Sequence, residues 1–264
     1  MQQSTMTQSI FTKAVVSRRE ALAGLGATLG ATLLASPALA ADQRKVVVWS
    51  ERTAPANMYP NDINGAIAEG LKPLAGWEVV TANIDQPDQG LPDALLKSAE
   101  VLMWWGHKRH GEVKKALIDR IEKRVKEEGM GFIALHSSHF AEPYKRLMGT
   151  RCTWGEYLAD GTSAQVIVKA TDHPIAQGVK DFKLPKIERY GEPFAVPTPE
   201  TVVLDGIYTR PDGKTQPGRM GLCWTIGKGR VFYFTPGHET YDDFFRPEVR
   251  QIMRNAVVWA GPKA

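Results

Sequence analysis

The sequence predicts a doubly wound α/β domain, and two observations carry that prediction. Short apolar runs alternate with helix-like stretches through the first half of the chain, in the order expected of parallel strands joined by helical crossovers. The runs are also continuous rather than alternating in polarity, as strands covered on both faces should be. Lys45-Val46-Val47-Val48-Trp49-Ser50 opens the series. A helix follows from Asp62 to Leu74, with Ile63, Ala66, Ile67 and Leu71 at helical spacing. Trp77 to Ile84 reads as the second strand, and Leu91 to Ser98 as a short helix with Pro92 near its start, where proline is tolerated. Val101-Leu102-Met103-Trp104-Trp105 is the third strand. Glu112 to Glu128 is the longest helix, with Val113, Leu117, Ile121 and Val125 on one face. Gly131-Phe132-Ile133-Ala134-Leu135 is the fourth strand.

The second half is richer in strands, at Gln165–Ala170, Thr201–Tyr208, Gly221–Ile226 and Arg230–Phe234. Gly227-Lys228-Gly229 between the last two signals a hairpin. A closing helix spans Pro247 to Trp259. Residues 41–264 show no repeat, linker or low-complexity tract, which argues for a single domain.

Residues 1–40 read as a targeting segment and are set apart from the fold. Ser17-Arg18-Arg19-Glu20-Ala21-Leu22 has a twin-arginine pattern. An uncharged, Gly- and Ala-rich stretch follows, and Ala38-Leu39-Ala40 supplies a small-x-small cleavage site. A membrane anchor would need ~18 or more strongly apolar residues, and Gly24, Gly26 and Gly30 interrupt a shorter run. The expectation is export to the periplasm or beyond, with no membrane span left after cleavage.

Of the formal charge of +4, about two units belong to the leader. The basic residues from Lys108 to Lys126 are interleaved with Glu112, Asp119 and Glu122, so they describe a solvated helix face and not a nucleic-acid stripe. Cys152 and Cys223 lack the C-x-x-C spacing of a zinc or redox site. They fit either a disulfide in an oxidising compartment or two buried thiols.

In a doubly wound sheet, ligands bind outside the carboxyl ends of the strands. Five of the six histidines fall there: His107 and His110 after the third strand, His136 and His139 after the fourth, and His238 after the last. His173, in Asp172-His173-Pro174, reads as a turn residue. With Glu239, this clustering suits either a transition metal such as zinc, with His107, His136, His139 and His238 as the candidate donors, or general acid/base chemistry. The spacing does not choose between them. Trp105 and Tyr241 adjoin these histidines, and aromatic faces beside polar groups suit a sugar ring. No G-x-S-x-G elbow is present.

These segments resemble the ThuA-type, or trehalose-utilisation, family. The matching pieces are Trp104-Trp105-Gly106-His107, Gly131 to Phe140, Arg146-Leu147-Met148-Gly149-Thr150, His173-Pro174-Ile175, Tyr190-Gly191-Glu192 and Phe232 to Tyr241. The resemblance implies a flavodoxin-like three-layer sandwich, similar to class I glutamine amidotransferases, with a mostly parallel sheet. His136 stands where that class carries its cysteine, so amidotransferase chemistry does not carry over. His238-Glu239 matches its His/Glu pair in position only. The family association implies a carbohydrate substrate, trehalose or a related glycoside, and suggests a metal-assisted lyase, hydrolase or isomerase acting on 3-keto-glycosides. His136, His139, Glu192, His238 and Glu239 are then the candidate catalytic residues, and Trp105, His107, Tyr190 and Tyr241 the substrate contacts. The competing reading is a non-catalytic periplasmic sugar-binding protein. A homo-oligomer is compatible with either.

Overall fold

A computed structural model describes residues 43–263, so the leader and its cleavage site lie outside the described residues. Five strands form the parallel half of one sheet: β1 (Arg44–Ser50), β2 (Trp77–Asn83), β3 (Val101–Trp105), β4 (Gly131–Leu135) and, late in the chain, β11 (Gly229–Phe234). Their order across the sheet is β2-β1-β3-β4-β11. This is the 2-1-3-4-5 winding of flavodoxin-like sheets. The chain reverses direction in the sheet at β1, whose register pairs Ser50 with both Asn83 and Trp105.

The sheet then continues, antiparallel, through β10 (Thr215–Ile226), β9 (Thr201–Thr209), β6 (Ser163–Val168) and β7 (Phe182–Leu184). The expected hairpin at Gly227-Lys228-Gly229 joins β10 to β11. Two further strands, β5 (Trp154–Leu158) and β8 (Arg189–Phe194), pair with each other in a separate ribbon. Sequence patterning had not marked β5, β7 or β8.

Helices cover both faces. On one side α1 (Asp62–Leu71) and α5 (Pro247–Ala260) pack Ile63, Ile67, Val249, Ile252 and Val257 against Val46, Val48 and Phe232. On the other, α2 (Asp93–Ser98), α3 (Lys115–Lys126) and α4 (Glu142–Met148) set Leu96, Leu117, Ile121 and Leu147 over Val47, Leu102 and Phe132. Each fully buried aliphatic side chain contributes about 1.5–3 kcal/mol, so the two apolar layers hold the sheet rigid from both sides. Rigidity matters here because His107, His136 and His238 each follow the end of a parallel strand. The α3 helix begins three residues later than the spacing predicts, because Val113 is extended (ψ 122°) and His110–Glu112 form a separate tight turn. No described helix is long and apolar enough to cross a membrane.

Candidate functional site

The loop after β3 is shaped by a residue on β1's exit. Glu51 is fully buried, and its Oε2 accepts the backbone N–H groups of His107 (2.7 Å), Lys108 (2.6 Å) and Arg109 (2.8 Å). Three donors converging on one carboxylate oxygen fix the path of the loop. Gly106 makes the approach possible, since a Cβ there would sit 2.7 Å from Glu51 Oε1. The His107 ring is held in turn by Glu239, whose Oε2 lies 2.6 Å from Nδ1. The other oxygen of Glu239 lies 2.6 Å from Lys108 Nζ. Burial opposes the charge on Glu239, but hydrogen bonds from His107 and Lys108 outweigh it and bring the carboxyl down to about 2. An ionised carboxylate only accepts, so a neutral His107 carries its proton on Nδ1 and presents a lone pair at Nε2.

His136 is the first residue after β4 and adopts φ +53°, the left-handed region that a side chain with a Cβ rarely occupies. The sharp turn is pinned by Tyr233, whose hydroxyl donates to the His136 carbonyl at 3.0 Å. His136 Nδ1 lies 3.1 Å from the Thr235 carbonyl and must donate to it. In the neutral ring its Nε2 is then a lone pair, buried, 3.1 Å from Glu188 Oε2 and without a hydrogen-bond partner among the described residues.

Glu188 is the residue that sequence reasoning missed. It precedes β8, is 1% exposed, and gathers donors from the ribbon. Tyr157 donates to Oε1 at 2.7 Å and Tyr190 to Oε2 at 3.0 Å. Ser137, at 2.9 Å, completes the relay by donating to Tyr190. Burial works against its ionisation, yet the adjoining His136 and hydrogen bonds from His238 and Tyr157 hold its carboxyl far below the usual carboxylate range. For His136, burial is the largest influence and pushes the imidazole down.

The third histidine, His238, follows the last strand. Its Nε2 lies 3.0 Å from Glu188 Oε1, and its Nδ1 accepts the backbone N–H of Thr240 at 3.1 Å. The ring centroids of His107, His136 and His238 form a near-equilateral triangle with sides of 5.4, 5.0 and 5.3 Å. One donor atom from each of His107, His136, Glu188 and His238 lies within 4.8 Å of all the others. A neutral imidazole lone pair facing an ionised carboxylate at 3.1 Å is unfavourable unless a positive charge stands between them. These four residues therefore fit a divalent ion taking N and O ligands.

The other candidates fall around this cluster in distinct places. Glu239 backs His107. Tyr190 orients Glu188, and Tyr241 lies 5.0 Å, ring to ring, from His238. Trp105 is fully buried and offers no face to a ligand; its Nε1 holds the Gly237 carbonyl at 2.9 Å and so steadies the turn before His238. His139 turns away from the cluster into the rings of Phe140, Tyr190, Phe194 and Tyr233. Burial pushes it down to about 3, leaving it neutral, and its Nδ1 lies 3.2 Å from the His136 carbonyl. Glu192 is engaged by Arg219 through two contacts of 2.7 and 2.8 Å and faces a shallow groove on the antiparallel half, beside Lys169 and Asp205. His173 caps a turn by accepting the Ile175 N–H, as its sequence context implied. Cys152 and Cys223 are both buried and free.

A flavodoxin-like sheet with a histidine at the elbow after its central strand defines an α/β protein of the class I glutamine amidotransferase-like fold, without that class's nucleophile. Residues 45–260 match the ThuA family, described as trehalose utilisation, and the chain belongs to that family. Its function accordingly lies in carbohydrate metabolism. Among solved structures it is similar to a ThuA-like protein from Bacteroides uniformis (16% identity, TM-score 0.61, covering 83% of this chain and 92% of that one). A ThuA-like protein from Parabacteroides merdae (10% identity, TM-score 0.58, covering 83% and 90%) shares the fold as well. So does a cytoplasmic protein from Salmonella typhimurium (14% identity, TM-score 0.57, covering 83% and 100%). At these identities the likeness speaks for the fold alone. No curated protein sequence matches the chain.

Proposed function

We propose that this protein is an exported enzyme that binds a divalent metal and acts on an oxidised sugar, a 3-keto-glycoside, by lyase, hydrolase or isomerase chemistry. The observation that carries the reading is the convergence of His107, His136, Glu188 and His238 at the carboxyl ends of the parallel strands. Tyr157 and Tyr241 stand beside that cluster, and their rings suit a sugar's C–H faces.

A ketone at C3 acidifies the C2 proton, so removal of that proton allows the C1 substituent to leave. A metal bound at the cluster would polarise the ketone oxygen. The chain's own part is to orient the ring against the tyrosines and to offer a histidine for the proton. Glu192, tied to Arg219 beside another groove, is poorly placed for that step.

The test is to incubate purified protein with 3-keto-glucosides and follow release of the aglycone by NMR, with metal content measured on the same sample. Turnover by the wild type, lost in His136→Ala together with the metal, supports the reading. Saturable sugar binding with no turnover would replace it with a non-catalytic sugar-binding protein. For export, mature protein recovered from the periplasm should begin at Ala41; an intact leader on cytoplasmic protein would refute that part.

A further inference from the structure

The geometry points to a division of labour among the three histidines, an inference that rests on the metal reading above. We infer that the metal's protein ligands are His107 Nε2, His136 Nε2 and the Glu188 carboxylate. His238 stays outside the ligand set and holds Glu188 through its Nε2–H.

The argument turns on where each ring must carry its proton. His107 Nδ1 faces the Glu239 carboxylate at 2.6 Å and His136 Nδ1 faces the Thr235 carbonyl at 3.1 Å. Both partners are acceptors, so both rings are protonated at Nδ1 and free to coordinate through Nε2. His238 is wired in the opposite sense. Its Nδ1 faces the backbone N–H of Thr240 at 3.1 Å, and a backbone N–H can only donate. A neutral His238 therefore carries its proton on Nε2, which donates to Glu188 Oε1 at 3.0 Å. Coordination through that nitrogen would oppose two donors across the Thr240 contact.

The surroundings agree with this division. Each inferred ligand has an outer partner of the kind that orients metal ligands: Glu239 on His107, the Thr235 carbonyl on His136, and Tyr157, Tyr190 and His238 on Glu188. Two imidazoles and one carboxylate form a three-ligand set that leaves a position open. That pattern belongs to catalytic rather than purely structural zinc sites. A sugar entering there would meet the Tyr157 ring, 54% exposed.

The test is cobalt(II) binding to chelator-stripped protein, read by bound metal and by the visible absorption band. Wild type should take up about one ion per chain. His107→Ala and His136→Ala should lose more than about 100-fold in affinity, while His238→Ala should lose no more than about tenfold, the lower end for an outer-shell partner, and leave the band in place. Near-ultraviolet circular dichroism checks each fold. If His238→Ala does not fold, His238→Gln, which keeps an N–H donor, decides alone. Loss of metal by the His238 variants equal to that of His136→Ala, or a displaced band, overturns the division of labour while leaving the metal reading intact. A wild type that takes up no cobalt overturns both.

Discussion

Removing the Glu51 carboxylate should loosen the loop that carries His107 and cost stability in a measurable way. In Glu51→Ala the N–H groups of His107, Lys108 and Arg109 lose their shared acceptor, at 2.7, 2.6 and 2.8 Å. Hydrogen bonds to a charged group contribute ~1.5–3 kcal/mol each. Lys108 and Arg109 lie near solvent, and water can recover part of that, so the net cost works out to about 3–5 kcal/mol. A described domain spanning residues 43–263 shifts its midpoint by ~2–4 °C per kcal/mol, which gives a drop of roughly 10 °C. Glu51→Gln keeps an oxygen in place and should cost only about 1–2 kcal/mol. Thermal unfolding followed by circular dichroism reads both. A Glu51→Ala midpoint within roughly 2 °C of wild type would refute the idea that this carboxylate builds the loop.

Asp243, 1% exposed, is pushed up to about 7 by burial, against 3.8 in an unfolded chain. The folded state therefore holds this proton where the unfolded state has lost it, so stability from this group is full below pH 3.8, declines as pH rises toward 7 and then levels off. Asp243→Asn should flatten that decline and stabilise the protein at pH 8 by up to about 4 kcal/mol, as measured by urea unfolding at pH 5 and 8; an unchanged pH slope would count against it. Tyr144 buries a hydroxyl that has no hydrogen-bond partner among the described residues, so Tyr144→Phe should be neutral or stabilise by about 1 kcal/mol, and a loss above that would reveal a missed partner. Burial raises the Cys152 thiol to about 11 and lifts Cys223 as well. Neither should react with a thiol reagent at pH 8 until the protein is denatured, and rapid labelling of native protein would contradict their burial.

The parallel half of the sheet was legible because its strands are covered on both faces and so appear as unbroken apolar runs. The same physics explains why His107, His136 and His238 could be gathered from sequence: each follows such a run, and strand ends converge. The ribbon was not legible. Trp154–Leu158 and Arg189–Phe194 lie outside the main sheet and carry the mixed polarity of a loop. Glu188 was hidden for that reason. Flanked by Lys186 and Arg189, it looks solvated, and only the pairing of β5 with β8 brings Tyr157 and Tyr190 over it. His139 illustrates the reverse. Its place three residues after His136 made it a candidate ligand, but the tight turn between them sends the two rings into different surroundings. Sequence spacing alone cannot register such a turn, because it arises from the left-handed backbone at His136 itself.

That backbone conformation sets stability and chemistry against each other at one residue. A left-handed non-glycine residue costs roughly 1–2 kcal/mol, and His136 adds a buried imidazole nitrogen with no hydrogen-bond partner among the described residues. Glycine would fit the bend without strain, and the fold would tolerate it. The ring stays useful only when something occupies the space beyond its Nε2. The protein is thus built around a local tension at the bend where the central strand ends.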